Sequence, residues 1–141
     1  PRLSEIVAHA KLTCLAPVPV TYDVAKRSWF LLDNYSYLYR GIKITAPKGF
    51  AYDLASIPRP LWWLIAPNEL SLIAPLFHDL LYVYNGRLPD ASYVEPYRTF
   101  TRREADMLFL HLMEVEGIDR ASRYAAYLAV RAAGRIHWPA P

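Results

Sequence analysis

A single cysteine, Cys14, stands among 141 residues. That excludes an internal disulfide framework and makes a reducing compartment the expected place of folding. Glycine is scarce as well, five residues against twelve prolines, so the connections should be stiff and irregular rather than flexible linkers. Long apolar runs are missing. Leu61–Ala66 and Leu72–Phe77 fall far short of the roughly 20 residues that span a bilayer, and no basic stretch followed by a long apolar run opens the chain. Neither a transmembrane segment nor a signal peptide is therefore expected. Charge of one sign is also modest. A net +3 argues for nucleic acid only if concentrated on one face. Internal repeats, low-complexity segments and tight metal-ligand spacings such as H-E-x-x-H are lacking too.

What is present is apolar and aromatic. Hydrophobic residues make up 54% and charged residues 21%, with eleven Tyr, five Phe and four Trp. This is the composition of one globular domain spanning residues 1–141 with a substantial core. Tyrosine at this density suits surfaces that are half apolar and half wet.

The first 60 residues read as strands and loop, and residues 61–141 as helical. Val18–Val24, Trp29–Leu32, Tyr35–Arg40 and Ile42–Thr45 are rich in aromatic and β-branched residues, with Asp33-Asn34 as a hairpin turn. "APKGFAYDLASIPRP" (Ala46–Pro60) is a loop punctuated by Gly and Pro, and "RPLWWLIAPN" a short helix. Asn68 is a candidate N-cap for a helix that ends near Asn85-Gly86, with Pro75 kinking or restarting it. The loop from Gly86 to Phe100 is long enough to act as a mobile cover. Thr101 and Glu104 make a capping box, and the helix they open runs to the stop at Gly117. Asp119 caps a last, Ala-rich helix ending around Trp138. Strands first and helices after give an α+β fold: a small N-terminal antiparallel sheet packed on three C-terminal helices.

The chemistry concentrates in "APLFHDLLYVYN" (Ala74–Asn85). A histidine and an aspartate sit side by side in an otherwise greasy helix, and burying charge costs several kcal/mol, on the order of a whole core side chain, unless it is paired. His78 and Tyr82 are one helical turn apart, and Asp79 lies about 100° around from His78. Asp106, with Arg102 and Arg103 at one-turn spacing, stands at the edge of the next helix's apolar face. Asp53 lies in a loop between Tyr52 and Leu54. If these segments converge, His78 can act as a general base, Asp106 as its orienting acid and Arg103 as an anion clamp. Asp79 and Asp53 would be ligands for a divalent metal, calcium or zinc. The bland alternative is a buried His-Asp-Arg network that pins the helices. A Ser56–His78–Asp106 nucleophile arrangement is conceivable, but Ser56 sits in "LASIP" rather than in a strand-to-helix elbow, where a cap or turn role is favoured. His9, His111 and His137 read as surface or packing residues. Arg120, Arg123, Arg131 and Arg135 form a stripe on the last helix, read as a solvated face, with Ala121, Ala125, Leu128 and Ala132 opposite it for close packing.

The ordered set "GFAYDLASIPR", "HDLLY", "RREAD", then Met113, Gly117 and "YLAVRAAGRIHW" resembles a phage and prophage family, domain-of-unknown-function family 1353, over roughly Gly41 to Trp138. In that family small residues precede the His-Asp pair, where this chain has Pro75 and Leu76. The resemblance implies a phage origin and a shared site at Asp53, Ser56, His78, Asp79, Arg103 and Asp106, and no reaction. "HDLLY" is also similar to the helix of secreted calcium-dependent phospholipases. That likeness would make His78 the water-activating base, Asp79 a calcium ligand, Tyr82 structural and Asp106 the orienting acid. The cysteine framework and Gly-rich calcium loop of those enzymes are missing here. The leading expectation is a phage-encoded, metal-assisted hydrolase-like protein acting on a cell-envelope component, with Asp53, Ser56, Tyr82 and Arg103 as binding residues. The competing expectation is a non-catalytic virion or tail-assembly protein with other phage structural proteins as partners. Either would be made in the host cytoplasm, and it could then remain with the virion.

Overall fold

The computed structural model describes residues 18–52 and 73–138, and every structural statement below is made of these. Six strands form two three-stranded antiparallel sheets. Strands β1 (Val20–Asp23), β2 (Ser28–Leu31) and β5 (Ala51–Tyr52) make the first, and β3 (Tyr35–Tyr39), β4 (Ile42–Ala46) and β6 (Val94–Glu95) make the second. Three helices follow, interrupted only by β6: α1 (Ile73–Val83), α2 (Arg102–Val115) and α3 (Arg120–Ala133), which tightens into a 3₁₀ turn at Gly134–His137. The class is α+β as expected, but with two sheets where one was expected.

Turn chemistry explains the division. β3 and β4 pair with Tyr39 opposite Ile42, which leaves Arg40-Gly41 as a two-residue turn with φ of 50° and 78°. Two positive φ values are what a type I′ hairpin requires. Asp33-Asn34, expected to be a hairpin turn, instead carries the chain from one sheet to the other, because β2 pairs with β1 and β5 and not with β3. On the second sheet Tyr35, Ile44 and Ala46 point inward, following the period of two.

The central helix is α1. Every residue from Ile73 to Tyr82 is buried, the pattern of a helix packed on all sides. Pro75 lies in its first described turn, where a missing N–H is tolerated. There the Ala74 N–H donates to Glu116 Oε1 at 2.7 Å, so the end of α2 caps the beginning of α1. The other end of α1 closes with Asn85 and Gly86 at positive φ and the Gly86 N–H on the Leu81 carbonyl at 2.8 Å, a Schellman-type stop. A Cβ on Gly86 would sit 1.8 Å from the Phe100 carbonyl oxygen, so only glycine lets the two ends of the following loop meet.

That loop is not a free cover. Residues 94 and 95 supply the third strand of the second sheet, Leu88, Val94 and Phe100 join the core, and the Phe100 N–H donates to the Gly86 carbonyl at 2.8 Å. It is a closed loop with its own packing.

α2 opens with the expected capping box. The Glu104 N–H donates to Thr101 Oγ1 at 3.1 Å, and the Thr101 N–H donates to Glu104 Oε1 at 3.0 Å. Asp119 accepts from the Ser122 N–H at 3.0 Å to start α3. The face of α3 differs from expectation. Ala121, Ala125, Leu128 and Ala132 are exposed, while Ala126 and Val130 are buried. With only those two side chains buried, polar contacts have a large share in anchoring this helix.

Candidate functional site: a buried His-Asp centre among three helices

Asp106 on α2 is fully buried, and so is His78 on α1. His78 Nε2 lies 2.7 Å from Asp106 Oδ1, and the Tyr82 hydroxyl donates to the same oxygen at 2.6 Å. The one-turn spacing of His78 and Tyr82 delivers both side chains to one carboxylate oxygen. The second oxygen, Oδ2, accepts from Arg131 Nη1 of α3 at 2.8 Å and faces Arg102 Nη1 at 3.5 Å. All three helices therefore meet at one carboxylate.

The electrostatics follow from this contact set. Burial pushes the Asp106 carboxyl up, but hydrogen bonds from His78, Tyr82 and Arg131 outweigh it and hold the group below the ordinary carboxylate range. Asp106 is thus the charged partner of the centre at neutral pH. The Tyr82 hydroxyl is pushed up by burial and by its hydrogen bond to Asp106, with Arg102 opposing, so it remains a donor. With Asp106 ionised and able only to accept, His78 Nε2 carries the proton of their hydrogen bond. The imidazole is held between Tyr82 and Phe109, at ring-centre distances of 4.2 and 4.6 Å.

Two further devices fix the carboxylate's surroundings. Arg102 also donates to the Val130 and Arg131 carbonyls at 3.2 Å, a cation placed at the negative end of α3. A Cβ on Gly134 would lie 2.6 Å from the Tyr82 hydroxyl, so the glycine that ends α3 makes room for the tyrosine's polar tip.

His78, Tyr82 and Asp106, picked out in the sequence, do come together. Arg103 does not join them: it is exposed, and Arg102 and Arg131 reach Asp106 instead. Spacing alone allowed Arg102 or Arg103, since both lie one turn from Asp106; the direction in which α2 faces α3 selects the former. Arg131 was placed on a solvated stripe, and no local sequence signal separates it from Arg135. Asp53 and Ser56 lie outside the described residues.

Asp79 is buried but directed elsewhere on α1. Its charge, after burial itself, is the chief influence raising the Tyr52 hydroxyl of β5. Glu116 adds to that effect, and burial raises its own carboxyl from an ordinary 4.5 to about 8. The Tyr52 hydroxyl and Glu116 Oε2 are buried atoms with no hydrogen-bond partner among the described residues. Neither residue stands out in the sequence, since an isolated Glu at a helix end looks like any solvated one. No group of three or more His, Cys, Asp or Glu side chains is arranged to hold a metal ion among the described residues.

The fold and site define an α+β protein whose three helices converge on a buried, doubly arginine-paired His-Asp centre. The family model "Protein of unknown function (DUF1353)" matches residues 29–130, which takes in the second sheet, β5 and most of β2 from the first, α1, α2 and most of α3. The chain belongs to this family. Searches of curated proteins and of solved structures give no match. No helix among the described residues is long and apolar enough to cross a membrane.

Proposed function

We propose that this is a phage-encoded, hydrolase-like protein in which His78 is a general base and Asp106 its orienting acid. The observation that carries the reading is the single carboxylate oxygen that takes both His78 Nε2 and the Tyr82 hydroxyl, while Arg131 fixes the other oxygen. An acid clamped from both sides sets the orientation of its histidine, which is what a general base needs. Asp79 would be the described contributor to a divalent metal, calcium or zinc, with Asp53 beyond the described residues as a second ligand. The substrate class suggested by a phage context is a cell-envelope component, encountered after synthesis in the host cytoplasm or from within the virion.

A second reading is favoured by one observation: neither His78 nor Asp106 exposes any surface. In that reading the same residues pin α1, α2 and α3 together in a virion or tail-assembly protein that contacts other phage structural proteins.

One set of measurements separates the two. Wild type, His78→Ala and Asp106→Asn would be compared for thermal melting and for hydrolysis of phospholipid vesicles and purified peptidoglycan, with calcium or zinc added. A general base supplies about 10²–10⁴ in rate. Turnover by wild type that falls by that factor in His78→Ala, with melting little changed, supports the enzyme. Absence of turnover together with a large fall in melting temperature supports the structural network.

A further inference from the structure

A cleft of about 650 Å³ opens where the two ends of the 86–100 loop meet the chain's last described residues. Its volume falls in the range of about 300–1,000 Å³ typical of small-molecule sites. The walls combine two chemistries. Three arginines, Arg87, Arg98 and Arg102, line it beside the hydroxyl-bearing Thr99 and Thr101, together with the aromatic Tyr84, Phe100 and Trp138.

The charges in this cleft do not cancel. Arg98 is paired with Glu104 and stacks over the Phe100 ring at 4.7 Å, so these two side chains form a preassembled wall. Arg102 is directed inward to Asp106 and the end of α3. Arg87 is exposed; its backbone N–H donates to the Tyr84 carbonyl, and its guanidinium makes no hydrogen bond or ion pair among the described residues. Glu104 is the single carboxylate lining the cleft. It is held ionised, since the Thr101 N–H and Arg98 outweigh the effect of its burial. With Arg98 paired to Glu104 and Arg102 to Asp106, Arg87 is the cation left available to a ligand.

The rings are held in place as well. Trp138 meets the Tyr82 ring edge-on, with centroids 5.0 Å apart, and its Cη2 lies 2.9 Å from where a Cβ on Gly86 would stand. A flat apolar surface therefore stands next to a fork of hydrogen-bond donors. Arginine recognises phosphate with paired donors, and a planar group gains from lying against aromatic and guanidinium faces.

The geometry points to a binding site for a phosphate monoester carried on a flat ring system. The phosphate is received by Arg87 with the Thr99 and Thr101 hydroxyls, and the ring packs against Trp138 and Tyr84. The site is separate from the His78 centre, with Arg102 the one residue they share, and it stands whether or not that centre is catalytic.

Isothermal titration of the full chain with adenosine 5′-monophosphate and with phenyl phosphate tests this, with adenosine and inorganic phosphate as controls. Saturable one-to-one binding of at least one ester is expected, tighter than either control. Arg87→Gln should weaken it about tenfold or more, as expected when a charge-assisted hydrogen bond is lost. Arg120→Gln, which removes the same charge from the exposed start of α3, should change it less than twofold. Arg87 is a surface residue, so both variants should fold, and melting curves would check that they do. The proposal is overturned if neither ester saturates at millimolar concentration, if inorganic phosphate binds as tightly as the esters, or if Arg120→Gln weakens binding as much as Arg87→Gln.

Discussion

Glu116→Gln should make the protein more stable at alkaline pH while leaving it nearly unchanged in acid. Glu116 ends α2, and its Oε1 caps the first described turn of α1 through the Ala74 N–H. Burial raises its carboxyl from 4.5 to about 8, against the smaller lowering effect of the Ala74 and Ile73 N–H groups. A group whose folded-state value is raised contributes stability that is fully present below its unfolded value. That stability is lost as pH climbs toward the folded value, so the window here runs from 4.5 to about 8. At about 1.4 kcal/mol per tenfold change in proton affinity, a displacement of this size has a ceiling of about 5 kcal/mol. Glu116 is only partly buried by surface area, and solvent screening brings the expectation down to about 2–3 kcal/mol. Gln is the neutral isostere of the protonated acid: its carbonyl can keep the Ala74 N–H, and it has no proton to lose. Urea denaturation of both proteins at pH 5, 7 and 9 measures the difference, and effects of other titrating groups largely cancel between the two. The expected result is near-equal stability at pH 5 and a Gln advantage growing to about 2–3 kcal/mol at pH 9, or a few degrees of melting temperature per kcal/mol for a chain of this size. A difference independent of pH, or a less stable Gln variant at pH 9, would refute the assignment of Glu116 as a buried, neutral cap.

Three other outcomes follow from the same contacts. Arg131→Gln should cost about 1–3 kcal/mol in chemical denaturation by removing a charged partner from buried Asp106, while exposed Arg103→Gln stays within about 0.5 kcal/mol of wild type. Asp106→Asn should flatten the acid limb of the stability curve. Its depressed carboxyl contributes stability above the unfolded value that is lost as pH falls through the folded one, so a variant whose acid unfolding matched wild type would contradict the reading. Thr101→Ala should cost about 1 kcal/mol through loss of the capping box, measurable as a lower denaturation midpoint with an unchanged slope.

The parts of this protein legible in its sequence are those set by local chemistry. The Thr101–Glu104 box, the Asp119 cap, the Gly117 stop and the period of α2 depend on residues three or four apart, and the structure forms each one. The pairing of His78 with Tyr82 on one helical side was legible for the same reason. Burial of charge in α1 could also be foreseen, because an apolar helix carrying His and Asp must find partners somewhere. What only the tertiary structure decided was who those partners are. Arg102 and not Arg103 reaches Asp106, Arg131 turns inward while Arg135 stays exposed, and the small-residue face of α3 points outward. Each choice depends on the rotation of one helix against another. Sheet membership was decided in the same way: Asp33-Asn34 divides two sheets, and residues 94 and 95 return from the far side of α1 in the chain to complete one of them. Glu116 as the cap of a helix 42 residues earlier is the clearest instance, since its raised acidity and its partner both arise from long-range packing that no local pattern encodes.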